Sequence, residues 1–384
     1  MTFFTSTIPS EMKAAGAPDL SLSQRGRSSL EILGSIQKFS SSALRETSRR
    51  TFREDAEGKA LTETHHADLP REEMKARLQT AKAVAKRDPI HRLERFYQRY
   101  VAEENFMRGI PAIEERREHF QAYLDQPITS SAGGTLELDP ALPMPKYYEG
   151  VEWHLEPGGW DGYDLYGPVF GFGVGPLVFK HGGYSAVGVG DDILQQRLDT
   201  VRQLPKPTYE KIYEPGCGGV STLSALHEVF PEAELHGCDL SPLLLKNGHL
   251  IAERRGIPIH LKQRDALDTG EADASFDAVV TYALHHELPP KANVEMFKEM
   301  LRILKPGGDI VISDPPPFRV VEPFHGVILE WDNDHKEEPF FTVSCLANWD
   351  EELRKVGFTD VESYALGQDG YPWITRARKP SNGG

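Results

Sequence analysis

A doubly wound α/β fold with an antiparallel edge strand, preceded by a mainly helical region, is what this 384-residue chain predicts. Three observations carry that expectation. From Tyr209 onward, short apolar runs alternate with helical patterns, the order that builds a parallel sheet covered on both faces. The first run, Lys211-Ile212-Tyr213, enters an acid and a glycine-rich turn, Glu214-Pro215-Gly216-Cys217-Gly218-Gly219, and the next ends in another acid, Asp239. Glycines let backbone approach a ligand closely, and an acid at a strand tip can accept two ribose hydroxyls, so the pair marks a nucleotide-type βαβ unit. Third, a stretch dense in Gly, Pro and aromatics separates this alternating part from helical sequence before it.

Residues 1–67 read as an N-terminal arm, mobile or loosely docked, with one amphipathic stretch through Leu30, Ile32, Leu33, Ile36 and Phe39. Residues 68–190 read as a helical and then glycine- and aromatic-rich accessory or lid region. Its helices start at Asp68 before Pro70 and at Asp88 before Pro89, a cap followed by a first-turn proline. Ile90, Leu93, Tyr97, Tyr100 and Val101 then share one face, and a third helix spans 113–124 after Pro111. Residues 126–190 suit irregular loop or short strands.

Residues 191–384 read as the ligand-binding domain. A helix starts at Asp191-Asp192 and runs to Val201. Strands are expected at 211–213, 234–237, 259–262, 276–281 and 309–313, with helices near 221–229, 242–255 and 292–304. A last helix at 348–356 leads to a strand at 361–366.

Charge narrows the partners. Residues 1–120 carry 21 Lys+Arg against 18 Asp+Glu, and the remainder 22 against 40, so the part with the ligand motif is acidic. Phosphate binding needs clustered positive charge, which disfavours nucleic acid and favours a small molecule. No apolar run has the length of a membrane span, and Met1-Thr2-Phe3-Phe4 lacks the basic start of a secretory signal. Cys217, Cys238 and Cys345 are scattered, without disulfide or zinc-site spacing, which fits a reducing, cytoplasmic setting and no metal.

Five segments stand in order: Glu214-Pro215-Gly216-Cys217-Gly218, Asp239, Arg264-Asp265-Ala266, Phe276-Asp277-Ala278-Val279-Val280-Thr281 and Leu301-Arg302-Ile303-Leu304-Lys305-Pro306-Gly307-Gly308-Asp309. Together with Glu352-Leu353-Arg354-Lys355-Val356-Gly357-Phe358 they resemble the class I S-adenosylmethionine (SAM)-dependent methyltransferases of small-molecule type, over about residues 190–378. The resemblance implies the Rossmann-like sheet of that fold and SAM as cofactor. By the same resemblance, Gly216 and Gly218 lie under the methionine part of SAM and Glu214 holds the turn and the positive end. Asp239 accepts the ribose hydroxyls, with Leu240 beside it; Asp265 accepts the adenine amino group next to Ala266, and Thr281 completes the set. One position departs from the pattern, since Val220 stands where a third glycine is usual. A dinucleotide-binding unit is the competing reading, but Ser221 occupies its last glycine position.

The methyl acceptor is expected beyond the fourth and fifth strands, which lead into Thr281-Tyr282-Ala283-Leu284-His285-His286 and Ser313-Asp314. His285 or His286 is the candidate general base, because imidazole titrates near neutrality. Trp160, Tyr163, Tyr184, Asp314, Trp331 and Phe341 are the candidate acceptor contacts, drawn from the aromatic stretch 151–184 and the insert 318–341. Asp332, Asp334 and His335 in that insert read as solvated loop rather than metal ligands. The expected activity is transfer of a methyl group to a small molecule, foremost at oxygen. Sulfur, nitrogen and carbon acceptors, and SAM binding without transfer, are the alternatives. The N-terminal helices are a possible homodimer surface.

Overall fold

In the computed structural model, residues 20–181 and 193–381 are described. The chain divides into two compact units: Met1–Asp125, Glu152–Ile193 and Pro316–Leu346 form the first, and Gln126–Val151, Leu194–Pro315 and Ala347–Gly384 the second.

The first unit opens with α1 (Gln24–Phe39), a π-helical turn Ser40–Leu44, α2 (Arg45–Glu54), α3 (Ala56–Glu63), α4 (Arg71–Arg87), α5 (Pro89–Glu114) and α6 (Arg117–Leu124). Short turns follow, among them α7 (Tyr166–Pro168) and α8 (Gly175–Leu177). Residues 20–67 are not a loose arm. Leu30 and Leu33 are fully buried, while Ile32 and Phe39, from the same stretch, are exposed. Ser23 caps α1 by accepting from the Gly26 N–H, and a side chain at Gly26 would meet the Ala112 Cβ of α5 at 2.8 Å. The missing Cβ lets the two helices touch. Asp88 caps α5 with Pro89 in its first turn, as the sequence predicts. That helix then continues through Pro111 to Glu114, so Pro111 does not start a new one.

Polar residues line the seam between these helices. Gln37, Ser41, Arg45 and Ser48 are all buried, and so are His91, Glu94, Arg95 and Gln98 of α5. Steps of four residues overshoot a 3.6-residue turn, and the wider π turn takes up the excess, keeping the first set on one side. Gln98 donates to the hydroxyls of Ser40 and Ser41, and Gln37 donates to Gln98.

The second unit is built on one eight-stranded sheet. In chain order come β1 (Thr135–Glu137), α9 (Ile193–Val201), β2 (Lys211–Pro215), α10 (Ser221–Val229), β3 (Glu234–Asp239), α11 (Pro242–Arg255), β4 (Ile259–Gln263), β5 (Phe276–Tyr282), α12 (Pro290–Ile303) and β6 (Leu304–Asp314). The chain then enters the first unit, adds α13 (Pro323–His335) and α14 (Phe341–Cys345), and returns as α15 (Trp349–Val356), β7 (Thr359–Ala365) and β8 (Trp373–Arg378).

The strand order is β1-β4-β3-β2-β5-β6-β8-β7. Pairs from β1 to β6 are parallel, and β8 runs antiparallel between β6 and β7. Period-two alternation sends Ile212, Leu235, Ala278 and Val280 to one apolar layer and Tyr213, Val279, Ile310 and Ile312 to the other. That double coverage is why β5 and the second half of β6 read as nearly unbroken apolar runs. Strand β1, three residues long with a single apolar side chain, falls in the stretch that reads as irregular loop or short strands. Gly134 permits it: a Cβ there would sit 2.4 Å from the Ile259 carbonyl oxygen of β4. Among the described residues, no helix is long and apolar enough to cross a membrane.

Candidate functional site

Within the second unit the motif residues gather at the carboxyl ends of the parallel strands. Glu214 lies at the end of β2, Asp239 ends β3, Asp265 follows β4, Thr281 is near the end of β5 and Asp314 ends β6. The chain winds from β2 toward β3 on one side and places β5 on the other, so the sheet's switch point lies at β2. That crevice is where doubly wound sheets bind ligands.

The turn after β2 needs its glycines for different reasons. Gly216 has φ +63°, and a Cβ there would strike Leu284 at 2.6 Å, so its bareness accommodates a neighbouring side chain. Gly218 has φ +48°, and a Cβ there would meet nothing within 4 Å, which leaves bare backbone facing open space. Val220 also has positive φ, +61°, although it is β-branched and fully buried. Gly248 of α11 makes room for it: a Cβ at Gly248 would lie 2.8 Å from Val220 Cγ1. Gly248→Ala is therefore expected to destabilise the fold by about 1–3 kcal/mol through overpacking against the turn. Denaturant unfolding checks this, and a neutral result would mean that Val220 can turn away.

Asp239 is held by two backbone donors: Gly218 N–H to Oδ2 at 2.8 Å and Ser241 N–H to Oδ1 at 2.9 Å. A carboxylate oxygen accepts more than one hydrogen bond, so this grip orients the group without exhausting it. Leu240 beside it uses its carbonyl to accept from Gln263 Nε2 at 3.1 Å. Asp265 accepts the Leu267 N–H at 2.9 Å, and burial raises its pKa. Ala266 packs on the apolar layer that also receives Tyr147.

Glu214 is buried, and one of its oxygens, Oε2, meets no hydrogen-bond donor among the described residues. Burial pushes its carboxyl up to about 8, against smaller pulls from the Thr222 side chain and then from Arg197 of α9. The Arg197 guanidinium lies 4.2 Å over the Tyr282 ring, with its Nε buried and without a partner among the described residues. Arg197 and Tyr147 were not singled out from sequence. A lone cation in the helix before the acidic strand was the available signal for the first; the second had none.

The two histidines after β5 separate in role. His285 is fully buried, with Nδ1 2.7 Å from Asn293 Oδ1 and Nε2 2.9 Å from Thr281 Oγ1. Asn293 donates both amide hydrogens, to the carbonyls of His285 and Leu288, so its oxygen faces the ring. His285 Nδ1 therefore carries the proton, and Thr281 donates its hydroxyl to Nε2. Burial lowers the pKa of His285, in keeping with a neutral ring. His286 instead sets Nδ1 2.9 Å from Asp314 Oδ1, both groups being nearly buried. A carboxylate behind Nδ1 fixes the tautomer and makes Nε2 the basic nitrogen, which stands 3.8 Å from Glu287 Oε1.

The expected acceptor contacts are not brought together in one unit. Asp314 belongs to the second, where it pairs with His286. Trp160, Tyr163, Trp331 and Phe341 belong to the first. Trp160 stacks on Trp153 at 5.6 Å, Tyr163 donates its hydroxyl to Glu114 at 2.6 Å, and Phe341 is buried. Trp331 is stacked by His335 at 4.6 Å and covered by Arg95. Tyr184 lies outside the described residues. The insert is not a solvated loop: α13 buries Glu330, Trp331 and Asp332, because its apolar residues recur at helical spacing. Asp332 faces Lys336, and Asp334 faces Lys82. Elsewhere, Glu234, His236 and His260 come within ligand distance of one another across β3 and β4, with Glu234 also held by Lys211.

Comparison with known proteins adds independent findings. Residues 212–308 match a family described as a methyltransferase domain. A demethylmenaquinone methyltransferase of Geobacillus sp. (strain WCH70) is 31% identical over 196 residues, covering 45% of this chain and 82% of the relative. Another, from Geobacillus kaustophilus (strain HTA426), is 28% identical over 189 residues, covering 44% and 79%. Among solved structures, phosphoethanolamine N-methyltransferase 2 of Haemonchus contortus in complex with S-adenosyl-L-methionine is 18% identical, with TM-score 0.37, covering 48% of this chain and 52% of that one.

Proposed function

This chain belongs to the class I SAM-dependent methyltransferase superfamily, and from that premise we infer an enzyme that methylates a small molecule at oxygen, with His286 as the base. It is a SAM-dependent enzyme of Rossmann-like fold. The residues at the strand ends fit the cofactor: bare backbone at Gly218, an oriented carboxylate at Asp239 and a buried acid with an unused oxygen at Glu214.

When bound, SAM supplies an electrophilic methyl group on a sulfonium sulfur. Asp239 would accept from the ribose hydroxyls, Asp265 from the adenine amino group, and Glu214 would answer the positive charge. Arg197, near Glu214, would be a counter-charge for the carboxylate of the methionine part. Much of the acceleration is alignment of nucleophile and methyl group.

The observation that carries the oxygen reading is the His286–Asp314 pair at 2.9 Å. His286 takes the hydroxyl proton of the acceptor, and Asp314 stabilises the imidazolium that results. His285, with both ring nitrogens engaged by Asn293 and Thr281, is a positioning residue for that loop. Release of S-adenosylhomocysteine from SAM with a pool of phenols, catechols and hydroxy acids tests the proposal. Release with thiols or amines alone, or with demethylmenaquinone alone, which takes its methyl at carbon, would overturn the oxygen assignment. A homodimer through α1 and α5, which expose Ile32, Phe39, Phe96 and Met107, is part of the same proposal, and a monomer in sedimentation velocity would remove it.

Glu214 makes cofactor binding depend on pH. A carboxyl raised to about 8 is protonated in the free protein at neutral pH. A cation beside it favours the ionised form, so binding releases a proton. SAM affinity is expected to rise from about pH 6 to about pH 8, by up to about tenfold per unit, and then level off. Glu214→Gln should flatten that slope in calorimetric titrations. No proton release in the wild type at about pH 7 would place the cation elsewhere. The same group acts oppositely on the free fold. The unfolded chain ionises it near 4.5, so its contribution favours folding below that range and is lost as pH rises toward about 8.

A further inference from the structure

Period-two alternation puts a polar set of side chains on one face of β3 and β4. Leu235, Ile259 and Leu261 point into the apolar layer that also takes side chains of α10 and α11. On the opposite face stand Glu234 and His236 of β3 and His260 of β4, where β2, β5 and β6 carry Tyr213, Val279 and Ile310.

The three polar residues meet by register rather than by spacing along the chain. Glu234 and His236 are two apart on one strand, and His236 pairs with His260 on its parallel neighbour. One ring nitrogen of each histidine and a carboxylate oxygen of Glu234 lie within 4.8 Å of one another. The two rings are stacked, 30° from parallel. All three residues belong to the second unit, toward the amino ends of their strands, whereas the cofactor residues stand at the carboxyl ends.

Their charge states suit a cation. Lys211 Nζ at 2.8 Å and His236 Nε2 at 2.6 Å hold the Glu234 carboxyl down to about 2, so it is ionised. Burial lowers the pKa of His236 against the pull of Glu234, and His260 adds to the lowering, which keeps the ring in the neutral form that ligates metals. Thr135 Oγ1 of β1 stands 3.1 Å from His260 Nδ1, a contact of the kind that orients a ligating imidazole. Water reaches the group, since the Glu234 side chain is 42% exposed.

We propose that Glu234, His236 and His260 bind a divalent transition-metal ion of the zinc class, with water completing its shell. Two imidazoles and one carboxylate are a donor set for such ions and not for magnesium or calcium, which take oxygen ligands. With bonds of about 2.0–2.1 Å, ligand atoms around a four-coordinate zinc stand about 3.4 Å apart, so small side-chain rotations close the set. Lys211, itself 40% exposed, gives up Glu234 to the ion. Bound there, the ion clamps β3 to β4 away from the cofactor site.

The test titrates the full chain with zinc by calorimetry, in a buffer that does not chelate it. A micromolar or tighter site for a single ion is expected, with no binding of magnesium. His260→Ala and Glu234→Gln should each weaken zinc by about tenfold or more. Lys211→Ala should tighten it by about two- to fivefold, because Glu234 loses a competing cation. Cobalt in place of zinc should show the absorption of nitrogen and oxygen donors. Absence of zinc binding, equal affinity in either ligand variant, or a Lys211→Ala chain that binds zinc no tighter would overturn the proposal. So would a thiolate-to-cobalt band, which would move the ion to a cysteine. Circular dichroism checks that each variant is folded. Glu234→Gln, on an exposed side chain, decides should His260→Ala fail to fold.

Discussion

His286→Ala is expected to lower turnover by about 10²–10⁴-fold while leaving SAM affinity intact. The expectation rests on the Nδ1 contact to Asp314, which holds the ring and stabilises its protonated form. Asp314→Asn should therefore reduce turnover in the same direction and move the acid limb of the pH–rate profile to lower pH, because the amide no longer stabilises the imidazolium. His285→Ala makes the internal contrast. Its ring is tied to Asn293 and Thr281, so that change should lower the melting temperature and disturb turnover less. A His286→Ala protein that loses stability and keeps its turnover would assign this ring to packing. A pH–rate profile flat from about pH 6 to about pH 9 would point to a thioether or carboxylate acceptor, which needs no base.

Asp239→Ala is expected to weaken SAM by about 2–4 kcal/mol, through loss of two charge-assisted hydrogen bonds to ribose. The structure adds a second route to the same loss. Asp239 also accepts the N–H groups of Gly218 and Ser241, which tie the glycine turn to the start of α11. Asp239→Asn separates the two: it keeps a side-chain acceptor for the turn and should lose less than alanine does. Calorimetry on folded variants reads both. Unchanged affinity in Asp239→Ala would remove this residue from the cofactor site.

Much of the sheet is legible along the chain because its signals are local. Strands β2, β5 and β6 are largely buried on both faces, β3 and β4 alternate buried with half-exposed residues, and α5 and α11 start at caps, Asp88 and Ser241. Less is legible where packing overrides pattern. Residues 20–67 are polar enough to suggest an arm, yet Leu30 and Leu33 suffice to bury one face of α1. The segment 323–335 carries enough charge to suggest a loop, but Glu330 and Asp334 are met by Lys82 of α4, so it forms a buried helix. A one-dimensional reading has no access to a partner some 250 positions away.

The sequence by itself determined the order of strands and helices from α9 to α12 and β6, the acids at the strand tips and the glycines of the turn. Those features follow from backbone rules that act over a few residues: a positive φ, a cap, an alternation of apolar side chains. The tertiary structure alone decided three things. It placed Gly248 to admit Val220, gave His285 to Asn293 and His286 to Asp314, and closed Arg45 and Arg95 on one Glu94. Each of these joins groups from different elements, and the burial that sets their energies exists only once those elements have packed.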